Sequence, residues 1–165
     1  MSTLPMDSRE LRNAMGRFAT GVCVVTTRTD DGRKAALTVN SFCSVSLDPP
    51  LVAWYLNDRA PSLPVFRESG YFAVHVLAAG QQEVATHFAK PSEDKFAPFS
   101  ERVQTGLGDV PVLGDVLACF ECRTSGIEHY GDHVMILGQV ERFYYGSESP
   151  LLFHAGRFLE HRVAA

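Results

Sequence analysis

Chemistry-bearing side chains are densest in the run Leu37-Thr38-Val39-Asn40-Ser41-Phe42-Cys43-Ser44-Val45-Ser46-Leu47-Asp48-Pro49-Pro50-Leu51-Val52. In an extended chain, alternation puts Leu37, Val39, Cys43, Val45 and Leu47 on one face. The other face carries Thr38, Asn40, Phe42, Ser44 and Ser46. Hydroxyls and an amide around one aromatic ring suit a polar heteroaromatic ligand, and hydroxyls beside exposed backbone amides suit phosphate. The same pattern describes a half-exposed strand whose polar side faces water, and the pattern alone leaves both readings open.

The other reactive side chains argue mainly by exclusion. Cys119 and Cys122 form a lone C-x-x-C, while Cys23 and Cys43 stand alone. Their segment reads as a strand, where an offset of three puts two thiols on opposite faces. Buried free thiols, with no shared metal and no disulfide, are therefore expected, in keeping with a reducing compartment. His129 and His133 have the i, i+4 spacing of helical metal ligands, but they flank Gly131-Asp132, a turn, so no metal site is expected. The dinucleotide and phosphate-loop glycine fingerprints, the G-x-S-x-G nucleophile elbow and H-E-x-x-H are all absent. Without these devices, the chain is expected to borrow any chemistry from a cofactor, with no side chain as catalytic acid, base or nucleophile.

Composition sets the frame for these residues. The chain has 165 residues, a formal net charge of −4, 45% hydrophobic and 21% charged residues. That is ordinary globular composition, expected to fold as one domain over residues 1–165. A mildly acidic chain without a Lys/Arg block is not expected to bind nucleic acid. No apolar run reaches the ~18 residues of a membrane span, and Met1 to Asp7 lacks the pattern of a signal peptide, so a cytoplasmic location is expected.

The elements that must position these groups are mostly strands. Asp7-Ser8-Arg9-Glu10 opens a helix with Leu11, Met15 and Phe18 on one face, ended by Gly21. Strands are predicted from Val22 to Arg28, from Ala35 to Leu47 and from Leu51 to Leu56, the last central because it is almost wholly apolar. Asp30-Asp31-Gly32 is a hairpin turn. A short helix runs from Pro61-Ser62 to Phe66, a strand from Tyr71 to Leu77, and a helix from Gln81 to Lys90 with Val84, His87 and Phe88 on one face. Ser92 to Leu113 reads as loop, Val116–His129 and His133–Tyr145 as a long hairpin, and Leu151 to Leu159 as a last strand. Some seven strands joined by hairpins, without β-α-β alternation, predict an antiparallel barrel.

In this setting Thr38-Val39-Asn40-Ser41-Phe42, Ser44-Val45-Ser46 and Asp48-Pro49-Pro50-Leu51-Val52 resemble the signature of the short-chain flavin reductases. The resemblance continues in order through Phe18-Ala19-Thr20-Gly21-Val22, Phe88-Ala89, Asp94-Lys95-Phe96, Gly131-Asp132-His133 and Pro150-Leu151-Leu152-Phe153-His154-Ala155-Gly156-Arg157-Phe158. It implies a mainly β fold, an antiparallel split β-barrel of the FMN-binding, Greek-key type with a few short helices. It further implies hydride transfer from NADH or NADPH to FMN or FAD, a flavin-dependent monooxygenase as recipient of reduced flavin, and a homodimer with flavin near the subunit interface.

Residue by residue, the resemblance assigns Thr38, Val39, Asn40, Ser41, Phe42, Ser44 and Val45 to the flavin segment, whose backbone amides hold the ring edge. Asn57 and Ser62 follow on the next loop, with Ser62 at a predicted helix start that favours phosphate. Phe88, Ala89 and Lys95 belong to the next flavin-contacting region, and His133 and Arg157 to the nicotinamide nucleotide. Read without the resemblance, Asn40 ties a turn, Lys95 is a solvated charge, His133 caps a hairpin and Arg157 pairs with Glu160. A non-catalytic flavin-binding or electron-carrier module on the same fold is the alternative function.

Overall fold

A computed structural model describes residues 7–159. Helix α1 (Ser8–Met15) starts where Asp7 accepts hydrogen bonds from the N–H groups of Arg9 (2.7 Å) and Glu10 (3.2 Å). It ends at Gly16, five residues before the predicted stop at Gly21, and buries none of its residues. Phe18, predicted to share its apolar face, lies beyond it and is 78% exposed.

Strands β1 (Thr20–Gly21), β2 (Cys23–Arg28) and β3 (Lys34–Val39) follow, then β4 (Cys43–Leu47) and β5 (Pro50–Asn57). Helix α2 (Leu63–Glu68) leads to β6 (Tyr71–Val76), and α3 (Gln82–Ala89) to the short hairpin of β7 (Val103–Thr105) and β8 (Pro111–Leu113). The long hairpin is β9 (Ala118–Tyr130) and β10 (His133–Tyr145). A closing hairpin is formed by β11 (Leu152–His154) and β12 (Arg157–Leu159).

Three predicted elements thus change. Ser92–Leu113 contains a hairpin besides loop. Leu151–Leu159 is two strands folded over Ala155-Gly156, with Gly156 at φ 78°. Ala35–Leu47 is broken at Asn40-Ser41-Phe42, and its halves pair with different strands, β3 with β2 and β4 with β5. The apolar face expected along that whole run is therefore buried only at its start: Val39 is in the core, whereas Val45 and Leu47 are exposed.

Seven strands form one antiparallel sheet in the order β3-β2-β6-β9-β10-β5-β4. Its two edge strands are consecutive in sequence, so residues 40–42 bridge the gap of a split barrel. One sheet face closes around Trp54, Phe66, Phe72, Val134 and Ile136, with Phe66 supplied by α2. The opposite face packs Val24, Ala73 and Cys119 under Phe88 of α3, Val112 and Leu151. Gly138 belongs where it is because a Cβ there would collide with the Phe72 ring. Cys119 and Cys122 fall in these two separate clusters, on opposite sheet faces as expected, and all four cysteines are free.

A polar cluster built on buried Glu121 and His75 fastens the β7–β8 hairpin to the sheet. The Glu121 carboxylate receives the Arg142 guanidinium in a two-pronged pair (2.6 and 2.5 Å) and the Leu107 N–H (2.7 Å). His75, fully buried, accepts the Leu113 N–H at Nε2 (3.1 Å) and donates from Nδ1 to the Val24 carbonyl (2.9 Å). The Tyr144 hydroxyl donates to the Leu113 carbonyl (3.0 Å).

Candidate functional site

The break between β3 and β4 frees backbone donors. Asn40, Ser41 and Phe42 lie outside both ladders, and their N–H groups enter no turn or loop hydrogen bond among the described residues. The segment is nevertheless held in place. The Thr38 hydroxyl donates to the Ala85 carbonyl of α3 (2.7 Å), and the Val39 side chain is buried. The Ser41 hydroxyl donates to the Tyr55 carbonyl (3.1 Å) and accepts the Tyr55 N–H (3.0 Å), substituting for a strand partner on β5. Phe42 stacks on Phe120 at 5.5 Å between ring centroids. These side chains are thus spent on positioning, which leaves the backbone and the Asn40 amide as the free chemistry of the segment.

A cleft of about 610 Å³ is walled by Ala36 and Leu37 of β3, Ser62, Ala89 and Lys95, with Glu93 and Asp94 also in its lining, while Thr38 to Phe42 do not line it. Three of the predicted residues meet here. Ser62 is half-buried, and its hydroxyl makes no hydrogen bond among the described residues. Helix α2, which it precedes, has only six residues, so the hydroxyl itself, rather than a helix end, is the useful donor. Lys95 donates from Nζ to the carbonyls of Ala36 and Phe88 (both 2.9 Å). An ammonium has three donors, so one remains for the cleft. Burial of Lys95 lowers its pKa from the ordinary lysine value.

The other predicted residues are placed elsewhere. The Phe88 ring is wholly inside the core, packed on Phe96 and Phe99, so only its backbone touches this region. Ser44 and Val45 are exposed on the edge strand β4. Asn57 accepts the Arg59 N–H (3.0 Å) and stands opposite His133 in the β5–β10 ladder. His133 bonds through Nδ1 to the Asp132 carboxylate (2.7 Å), just past Gly131 at φ 62°. Arg157 is exposed on β12, and its suggested partner Glu160 lies outside the described residues. No hydrogen bond or ion pair links Arg157 to His133 among the described residues. His129 pairs with Asp58 (3.3 Å), and no group of metal-ligating side chains occurs among the described residues.

Sequence reasoning missed the Lys34 side chain and the Pro61 and Pro91 walls of this cleft. Lys34 sits 5.8 Å over the Phe96 ring. Nothing in its local sequence marks it, because the cleft is assembled from segments some sixty residues apart in the chain.

The sequence matches the family described as flavin reductase like domain over residues 15–161. It is 41% identical over 152 residues to the FMN reductase (NADH) SmoA of Agrobacterium fabrum, covering 92% of this chain and 85% of that protein. It is 40% identical over 164 residues to a probable flavin reductase of Rhizobium meliloti, covering 99% of this chain but 52% of the relative, so it spans about half that protein's length. Among solved structures, the NADH:FAD oxidoreductase SgcE6 of Streptomyces globisporus, in complex with NAD and FAD fragments, superposes with a TM-score of 0.87 at 36% identity. That alignment covers 96% of this chain and 93% of SgcE6. Flavin reductase PheA2 superposes at 0.82, also at 36% identity, over 97% of this chain and all of that one. With the ordered motifs, the split barrel and this match over nearly its whole length, the chain belongs to the flavin reductase like domain family.

Proposed function

We propose that the protein is an NAD(P)H-dependent flavin reductase that passes hydride from a nicotinamide nucleotide to FMN or FAD. The observation that carries this reading is the run of unpaired N–H groups at Asn40–Phe42, on the same chain segment whose Ala36 and Leu37 wall a cleft that offers the Ser62 hydroxyl and a spare Lys95 donor. The fit to flavin is chemical: backbone donors for a polar ring edge, a hydroxyl and an ammonium for phosphate. When bound, flavin supplies the electron-accepting ring, so no protein nucleophile or base is required. The Asn40–Phe42 amides would hold the ring edge where negative charge develops on reduction, and being fixed beforehand they need no reorganisation. Ser62 and Lys95 would anchor the phosphate. His133, its Nδ1 tied to Asp132, would present Nε2 to the nicotinamide nucleotide as a positioning group.

A flavin-dependent monooxygenase is the proposed recipient of reduced flavin. This draws on relatives such as the reductase component of the trigonelline monooxygenase of Acinetobacter baylyi, 38% identical over 153 residues. A homodimer is proposed as well. The exposed apolar residues of α1 and β4, Met15, Val45 and Leu47, support a covering subunit. Four unbridged thiols support a reducing, cytoplasmic setting. The test is NADH and NADPH oxidation by the purified chain with FMN and with FAD. Turnover that requires added flavin is expected; folded protein inactive with all four pairings refutes the reading.

A further inference from the structure

His87 does not line the first cleft, yet it is bonded to the loop that carries Lys95. This loop leaves α3 at Lys90-Pro91 and supplies Pro91, Ser92, Glu93, Asp94 and Lys95 to the cleft lining. Among the described residues, no backbone-to-backbone hydrogen bond holds residues 91–95. Side chains hold the loop instead. Asp94 accepts the N–H groups of Phe96 (2.9 Å) and Ala97 (3.2 Å) and fixes the far end. The Lys95 ammonium reaches the carbonyls of Ala36 and Phe88. The Lys95 main chain is held by His87, whose Nε2 donates to its carbonyl (2.9 Å).

The imidazole is built into place for this contact. Its ring stands edge-on to Phe88 (5.2 Å) and Phe99 (5.0 Å), which fixes the aim of the donor. It is only half-buried, because His87 also lines a second, open cleft of about 520 Å³ with Gln82, Glu83, Thr86 and Lys90. A lysine ammonium on its flexible stem has three donors. With two of them committed to Ala36 and Phe88, the direction of the third depends on where the stem begins, at the main chain that His87 holds. The same loop carries the Glu93 and Asp94 carboxylates into the cleft lining, so its placement also decides how near they come to a bound anion. We propose that His87 is a positioning residue for flavin binding, setting the loop so that the third Lys95 donor meets the flavin phosphate. This role rests on the flavin reductase reading, with the phosphate at Lys95.

Three variants of the full chain separate the hydrogen bond from the packing. His87→Phe keeps an aromatic ring against Phe88 and Phe99 but has no donor. His87→Asn keeps an amide donor that stops one bond short of Nε2, and His87→Gln carries an amide N–H to the reach of Nε2. Each is titrated with FMN and with riboflavin, which has no phosphate, and the rate of native-state tryptic cleavage after Lys95 is read by mass spectrometry. His87→Phe and His87→Asn should be cleaved faster after Lys95 and bind FMN on the order of tenfold more weakly, with riboflavin bound almost as before. His87→Gln should restore both readouts. Circular dichroism shows which variants are folded, and if His87→Phe is not, Asn against Gln gives the same contrast. Unchanged cleavage, unchanged FMN affinity, equal losses for FMN and riboflavin, or a Gln variant as impaired as Asn each overturn the proposal. Two results on wild type alone test what lies beneath it. Binding of neither flavin refutes the flavin reductase reading, and FMN bound no more tightly than riboflavin refutes the phosphate at Lys95; either removes the role of His87 in flavin binding with it.

Discussion

Lys95 carries two roles in one side chain, and a comparison of ligands separates them. Its ammonium ties the Ala36 and Phe88 carbonyls while lining the first cleft. Lys95→Met removes those ties together with the charge. If the third donor meets the flavin phosphate, FMN affinity should fall on the order of tenfold or more, while riboflavin, which has no phosphate, binds almost as before. Fluorescence titration with both ligands checks this; equal losses would reduce Lys95 to a structural strut. His133 admits a similar separation. Its Nδ1 bond to Asp132 holds the Asp132 carboxyl below the usual range and leaves Nε2 outward. His133→Ala should raise KM for NADH with FMN affinity intact. A lowered Tm with unchanged KM would make it a hairpin cap. At this scale the sequence was informative through its motifs, since the residues that meet in the first cleft, Ser62, Ala89 and Lys95, were all legible there. What each side chain does was not: Ser41 spends its hydroxyl on Tyr55, fourteen residues away, and only the fold brings that partner.

Elements show where local pattern ends and partner choice begins. The long hairpin, α3 and the turn at Gly32 followed from periodicity and turn residues, because their determinants are local. The break at residues 40–42 did not: alternation lapses at Asn40-Ser41 and Phe42-Cys43 but resumes in the same phase at Ser44, so the run still reads as one strand. The break exists because β3 and β4 pair at opposite edges of one curled sheet. Helix α1 ended early because no core lies under Leu11 and Met15, so its apolar stripe could not predict burial. Gly138 carries a prediction of this kind. With Phe72 directly over it, Gly138→Ala overpacks the barrel and should cost about 1–3 kcal/mol in urea unfolding. In a Phe72→Leu background the cost should shrink, since the colliding ring is gone. The C-x-x-C strand gives another. Burial pushes the Cys23, Cys119 and Cys122 thiols up to about 12, whereas Cys43 is exposed. One thiol should therefore react quickly with a thiol reagent in the native protein and four after unfolding, with no zinc by elemental analysis. Fast modification of two or more native thiols, or stoichiometric zinc, contradicts the strand geometry.

The whole molecule is joined by a histidine that the sequence did not single out. His75 sits in the middle of the sheet on β6, its Nδ1–H bonded to Val24 on β2 and its Nε2 bonded by Leu113 on β8. It thereby links the barrel to the hairpin that covers it, and both ring nitrogens are committed in the neutral form. Protonation would place a charge in the core and break the Leu113 bond. Burial accordingly lowers its pKa from 6.5 to about 4, against smaller upward pulls from the Val24 carbonyl and the Glu121 carboxylate. Between those values the unfolded chain takes up a proton that the folded chain refuses, so stability is fully present above 6.5 and falls as pH drops toward 4. The full span is worth about 3 kcal/mol, a large share of the ~5–15 kcal/mol that holds a typical domain. His75→Gln replaces the titrating ring with a neutral amide and should lower stability at pH 7.5. Its unfolding free energy should then decline less than that of wild type between pH 6.5 and pH 4.5. Urea titrations of both proteins across that range decide the matter: parallel profiles would mean that other groups set the acid limit of the fold, and converging profiles that this one buried imidazole sets it.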